Sequence, residues 1–199
     1  MKFCEFEKIM SSKRMRRYVN ACGGDTRKGM KLYRMNLHLA EEMFTIVGCY
    51  EVALRNAIDK IMVASNGNDW LRDAIQLGGI FDNPKFHNWK YMYSNPQYLA
   101  TGRQLLKAFP NKPKSTPAVQ YSNQYIFNEL DAVNRIRNRI AHHEPVCFLH
   151  DLDQISTTHL MSVYDKVMTL FSWMGIDSKS LLYGMDHVKA VCKEIENMK

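Results

Sequence analysis

No run in this 199-residue chain approaches the roughly 20 uninterrupted apolar residues that a membrane helix requires. The opening residues, MKFCEFEKIMSSKRMRR, contain no apolar core of the kind an export signal needs. Cysteine is sparse and scattered: Cys4, Cys22, Cys49, Cys147 and Cys192 are odd in number and form no C-x-x-C pair. That pattern points to a reduced, cytoplasmic protein without a disulfide framework or zinc centre. The chain also lacks an H-E-x-x-H pair, a G-x-x-x-x-G-K phosphate loop, a dinucleotide fingerprint and a G-x-S-x-G elbow. Neither a metal nor a cofactor is therefore expected. Alternation of apolar and polar residues, the mark of strands, is missing too. What is present, 46% apolar residues with 24% charged, describes one folded domain with a real core.

The charge of +7 is unevenly placed. Residues 1–34 hold ten Lys or Arg against three acids, which leaves the other 165 residues balanced. Residues 83–128 contain six basic residues, no acid and nine aromatics. Cations neutralise phosphates and flat rings stack on unpaired bases, so this mixture suits single-stranded nucleic acid. It equally describes a solvated basic face over a Tyr-rich core.

Helical signals recur along the chain. Ser11-Ser12 caps a basic helix that stops at Gly23-Gly24. Asp25-Thr26 opens a long helix to about Ser65, with Leu39, Met43, Ile46, Tyr50, Leu54, Ala57 and Ile61 at helical spacing. From Met43 to Met62 its other side carries Val47, Val52 and Ile58, which predicts a helix buried all round, and Gly48 is a candidate kink. A short helix is expected from Asp69-Trp70-Leu71, two more over 84–93 and 96–109, then an irregular segment with three prolines between 110 and 117. Helices over 119–143, 151–174 and 178–197 complete an all-α reading. Residues 1–24 are either docked on the domain or a loosely attached basic arm.

The segment Asn134-Arg-Ile-Arg-Asn-Arg-Ile-Ala-His-His-Glu-Pro145 carries the candidate chemistry. Ile126, Leu130, Val133, Ile136 and Ile140 form one apolar stripe, and Arg137 projects toward it, while Arg135 and Arg139 point outward. A guanidinium on a packed face needs a partner or a polar interface. Glu51 is one candidate partner, in a purely structural role. Asn138 and His142 are four apart and hence neighbours. Pro145 disfavours helix at Glu144, which places His142 and His143 in the last turn. Histidine is the side chain suited to moving a proton near neutrality, and arginine to gripping a phosphate through two bonds. Adjacent histidines diverge by about 100° on a helix, which makes His142-His143-Glu144 a poor metal site.

Arg137-Asn138-Arg-Ile-Ala-His142 resembles the R-x4-6-H motif of the HEPN superfamily, and the longer string through Pro145 is similar to its Abi-like (abortive-infection-type) branch. Arg17-Tyr18 through Asp25, Leu32-Tyr33 with Asn36, Tyr50-Glu-Val-Ala-Leu-Arg-Asn-Ala-Ile58 and Asp69-Trp70 resemble other blocks of that family in order and spacing. The likeness is weakest over 80–118, where Phe86-His-Asn-Trp89 is an imperfect match.

The resemblance implies a HEPN-like helical bundle with a four-helix core and extra short helices. It implies a homodimer whose paired motifs face one cleft and cut RNA without metal or cofactor, in phage defence or toxin-like growth arrest, beside an antitoxin or phage component not identified by the sequence. Carried over, Arg137 and His142 are catalytic and Asn138 supports them, with His143 and Glu144 as auxiliaries. Arg137 and His142 lie about 140° apart on a regular helix, so a two-fold interface would help them converge. Glu51 and Arg55 are read as a buried i,i+4 pair that braces the site beside Asn56. Arg135, Arg139, Lys85, Lys90, Arg103 and Lys107 are the candidate RNA contacts. The same features also fit a non-catalytic RNA-binding module or a dimeric interaction protein of the same fold.

Overall fold

A computed structural model describes residues 1–70 and 89–199. The described residues are all-α: α1 (Phe3–Met10), α2 (Ser12–Ala21), α3 (Thr26–Asn66), α4 (Asn95–Ala100), α5 (Asn123–Ala141), α6 (Thr158–Trp173), α7 (Ser178–Leu181) and α8 (Val188–Glu196). No strand occurs among them, only an isolated antiparallel bridge between Phe148 and Ile155. No helix among the described residues is long and apolar enough to cross a membrane. The chain forms two compact units. The first comprises Met1–Ile46, Arg135–Asp165 and Leu182–Lys199, and the second Val47–Asn134 and Lys166–Leu181.

In the first unit the N-terminal residues are docked, not loose. Ser11 caps α2 by accepting the Arg14 N–H. The helix ends where Gly23 and Gly24 take positive φ and return their N–H groups to Asn20 and Val19. α1, which the sequence reading leaves out, is held by Phe6, whose ring stands edge-on to Tyr33 at 5.7 Å. Tyr33 also meets Tyr18 of α2 at 5.1 Å. A Cβ on Gly29 would lie 2.9 Å from Val19 Cγ2 and 3.1 Å from its Cα, so only glycine lets α3 approach α2 this closely. Asp25 Oδ1 accepts the N–H groups of Arg27 and Lys28, which starts α3 at the expected place.

Residues 147–157, expected to begin a helix at 151, instead fold back on themselves. Ser156 N–H donates to the Cys147 carbonyl and Leu149 N–H to that of Gln154. α6 therefore starts at Thr158, where the preceding Thr157 donates both its N–H (2.6 Å) and its hydroxyl (2.8 Å) to Glu196 Oε1 of α8. The expected 178–197 helix is likewise two pieces, α7 and α8, and His187 N–H between them donates to Glu42 Oε2 at 3.0 Å.

Partial burial pushes the Glu196 carboxyl up, but bonds from Lys199 and from Thr157 outweigh it and the net shift is downward. A carboxylate with a lowered folded pKa stabilises above its unfolded pKa of about 4.3 and loses that contribution as pH falls through the folded value. Thermal melts from pH 6 to pH 3 should therefore show an acid loss that is smaller in Glu196→Gln, by about 1 kcal/mol.

In the second unit the latter half of α3 continues without interruption through Gly48. The expectation of a helix apolar and buried on every side is corrected here. Tyr50, Leu54, Ile58 and Met62 are buried, whereas Val52 is 48% exposed and Arg55 and Asn56 face solvent. Glu51 is half-buried, and with Arg55 exposed the two are not a buried pair. The charged Arg55 head stays hydrated on that open side, which avoids the cost of burying a charge.

Asp69-Trp70 forms a turn, with the buried Trp70 indole donating to Asp59 Oδ1 at 2.8 Å. Leu71, Gly78-Gly79, Asn83-Pro84, Lys85 and Phe86-His-Asn lie outside the described residues. The end of the expected 84–93 helix is a 3-10 turn, Trp89–Tyr93, and the 96–109 helix breaks after α4 where Gly102 and Arg103 both take positive φ. The three-proline segment is irregular as expected. α5 begins at Asn123 and buries the whole Ile126, Leu130, Val133, Ile136, Ile140 stripe.

Candidate active site

α5 stops through its own backbone. His143 takes the left-handed conformation (φ 54°) and donates its N–H to Ile140, while Glu144 N–H reaches Arg139 at 2.8 Å. These are the paired bonds of a Schellman stop, in a position usually held by glycine. Both histidines thus sit just beyond the last helical residue, Ala141, rather than within the last turn. A left-handed residue with a Cβ costs about 1–2 kcal/mol, against about 0.5–1 kcal/mol for glycine's extra chain entropy. His143→Gly should therefore raise stability by about 0.5 kcal/mol, read as a higher urea midpoint.

The chain after the stop is pinned from three sides. Pro145 is followed by Val146, whose buried N–H donates to Asn36 Oδ1 at 2.8 Å. Asn36 is 2% exposed, on the same stripe of α3 as the buried Leu32, Leu39 and Met43. Arg14 Nη1 donates to the His143 carbonyl at 3.0 Å. Arg17 donates to the carbonyls of Leu149 (3.2 Å) and Leu152 (2.7 Å), pairs with Asp153, and lies 4.6 Å over the Phe148 ring. Asn20 Nδ2 adds a bond to Asp153 Oδ2.

Between α2 and this loop lies a pocket of about 350 Å³, lined by Ser11, Lys13, Arg14, Arg17, Tyr18, His142, His143, Glu144 and Pro145. Tyr18 is buried, and burial first of all, with the nearby Cys147, pushes its phenol far up, so it stays protonated. Burial likewise pushes the Cys147 thiol up to about 12, which leaves it no thiolate to offer at neutral pH. Among the described residues no group of three His, Cys, Asp or Glu side chains is placed to share a metal ion.

The expected site residues do not all meet. His142 and His143 are exposed at the pocket, and neither imidazole has a hydrogen-bond partner among the described residues. Asn138 is exposed and Arg137 half-buried one turn earlier; neither lines the pocket, and Arg137 Nη1 reaches Asn138 Oδ1 only at 3.5 Å. Glu144 lines the pocket, with its carboxylate 3.5 Å from Arg139 Nε.

Two of the candidate RNA contacts are corrected. Arg139 does not point freely outward: it is half-buried, bonding the Pro145 carbonyl and Glu144, because the loop doubles back over its guanidinium. Lys90 is 8% exposed, paired with Asp131 at 2.6 Å and lying over the Tyr91 and Phe127 rings, so its charge is spent inside the fold. Lys85 lies outside the described residues. Arg135, Arg103 and Lys107 are exposed.

Lys13, Arg14 and Asn36 are the residues that sequence reading left without a role. The N-terminal charge excess signalled the first two without placing them. A lone amide on the Leu32, Leu39, Met43 stripe was the available signal for Asn36. The chain has no significant match among family models, curated proteins or solved structures.

Proposed function

We propose that the chain is a metal-independent endoribonuclease of the HEPN, Abi-like type, acting as a homodimer. The observation that carries this reading is His142: an exposed imidazole without a hydrogen-bond partner, set at the rim of a cationic pocket. A histidine held only for packing or capping would be buried or bonded. The R-N-x-x-x-H spacing of Arg137, Asn138 and His142 supports it from the sequence.

In the proposed reaction the ribose 2′-hydroxyl attacks the adjacent phosphorus. One His142 takes the hydroxyl proton, and the 5′-oxygen leaves with a proton from the His142 of the second protomer. A 2′,3′-cyclic phosphate and a 5′-hydroxyl result, so the proton count balances. Arg137 steadies the charge that grows on the phosphoryl oxygens, and Asn138 orients it. Phage defence or toxin-like growth arrest is the proposed setting.

The test is incubation of the purified protein with single-stranded RNA in EDTA, beside Arg137→Ala and His142→Ala. Fragments ending in cyclic phosphate from the wild type alone are expected. Undiminished cleavage by both variants, or none by the wild type, overturns the reading; RNA bound without scission leaves a binding module.

A further inference from the structure

We propose that the pocket between α2 and the end of α5 is a phosphate subsite for single-stranded RNA, in which Lys13 and Arg14 hold a backbone phosphate next to His142. The choice of RNA rests on the ribonuclease reading above; the subsite itself rests on the following geometry.

The charges that line the pocket are not equally available. Arg17 spends Nη2 on two carbonyls, and its charge is offset by Asp153 at 3.4 Å. Glu144 is offset by Arg139. Arg14 spends one nitrogen on the His143 carbonyl and has no other partner among the described residues, and the exposed Lys13 has none at all. The remainder is one ammonium, most of one guanidinium fork and two unbonded imidazoles around about 350 Å³. That volume is at the lower end of the ~300–1,000 Å³ typical of small-ligand sites, room for about one nucleotide and not for a duplex. Phosphate, with several acceptor oxygens, fits a fork plus a point charge better than a planar carboxylate does.

The backbone supplies an independent observation. Among the described residues four non-glycines have positive φ, and two of them, Ser11 (φ 72°, ψ 141°) and His143 (φ 54°), line this one pocket. Such conformations cost about 1–3 kcal/mol each and persist where the surroundings enforce them, characteristically at functional sites. Here they aim the start of α2 and the His142-His143 pair at the same space.

The test uses the full chain and a short, fluorescein-labelled 2′-O-methyl RNA, which has no free 2′-hydroxyl and cannot be cut. Binding is read by anisotropy across a salt series for wild type, Lys13→Gln and Arg16→Gln. Arg16 is exposed on α2 and does not line the pocket, so its loss changes net charge equally. Lys13→Gln should weaken binding about tenfold and lower the salt slope by about one, with Arg16→Gln within about twofold of wild type. Because Lys13 is exposed and unbonded, the fold should be unaffected; Arg14→Lys, which keeps charge but not the fork, provides a second reading.

Equal weakening by Arg16→Gln, or no binding by the wild type, overturns the subsite. Displacement by polyglutamate as effective as by unlabelled RNA overturns it in favour of an acidic-protein site. Lys13-dependent binding by a protein that cuts no RNA sustains the subsite and removes the nuclease. His142-dependent cleavage with Lys13→Gln binding unchanged does the reverse.

Discussion

His142→Ala is expected to slow RNA cleavage by about 10²–10⁴-fold, the range a positioned general acid or base contributes. The imidazole is exposed and has no hydrogen-bond partner among the described residues, so its removal breaks no contact that holds the fold. Melting temperature should stay within about 2 °C of wild type, because surface substitutions away from such contacts usually change stability by less than about 0.5 kcal/mol. Loss of activity at constant stability is what separates a chemical role from a structural one. Arg137 gives a different signature. It is half-buried, so Arg137→Ala should lower both cleavage and stability, whereas Arg137→Lys keeps the charge and loses the fork. Full activity in His142→Ala would remove the imidazole from the mechanism.

Asn36→Ala is expected to destabilise the protein by roughly 1–3 kcal/mol, the cost of leaving a buried donor unsatisfied. The stranded group is the Val146 N–H, three residues beyond His143 on a loop folded over the end of α5. For a chain of this length each kcal/mol lowers the melting temperature by roughly 2–4 °C. The neighbouring Leu37→Ala is the comparison: Leu37 is 40% exposed on the same helix and should cost far less. Because Asn36 ties down the segment that follows the histidines, its loss should also reduce cleavage measured well below the melting transition. A melt indistinguishable from wild type would mean that Val146 finds another acceptor.

Where local chemistry decides structure, the reading from residues holds. Ser11, the Gly23-Gly24 stop and Asp25-Thr26 mark the ends of α2 and the start of α3 through side-chain caps and positive φ. The α5 stripe is buried at every position because a 3.6-residue period leaves it a single face. Val52, Arg55 and Asn56 went otherwise, since apolar content on a second face does not oblige anything to cover it. The 147–157 turn-back leaves no mark in the sequence, because its bonds pair residues through backbone groups that every sequence has.

The same division runs through the site. Composition, spacing and helix signals determined an all-α chain with Arg137, Asn138 and His142 near a helix end, since periodicity and capping are short-range properties. Only tertiary structure decided that Lys13 and Arg14 stand across a pocket from His142, that Lys90 is spent on Asp131, and that Asn36 anchors the loop. Those outcomes depend on packing between segments more than a hundred residues apart in two of the three cases, which no local pattern of residues encodes.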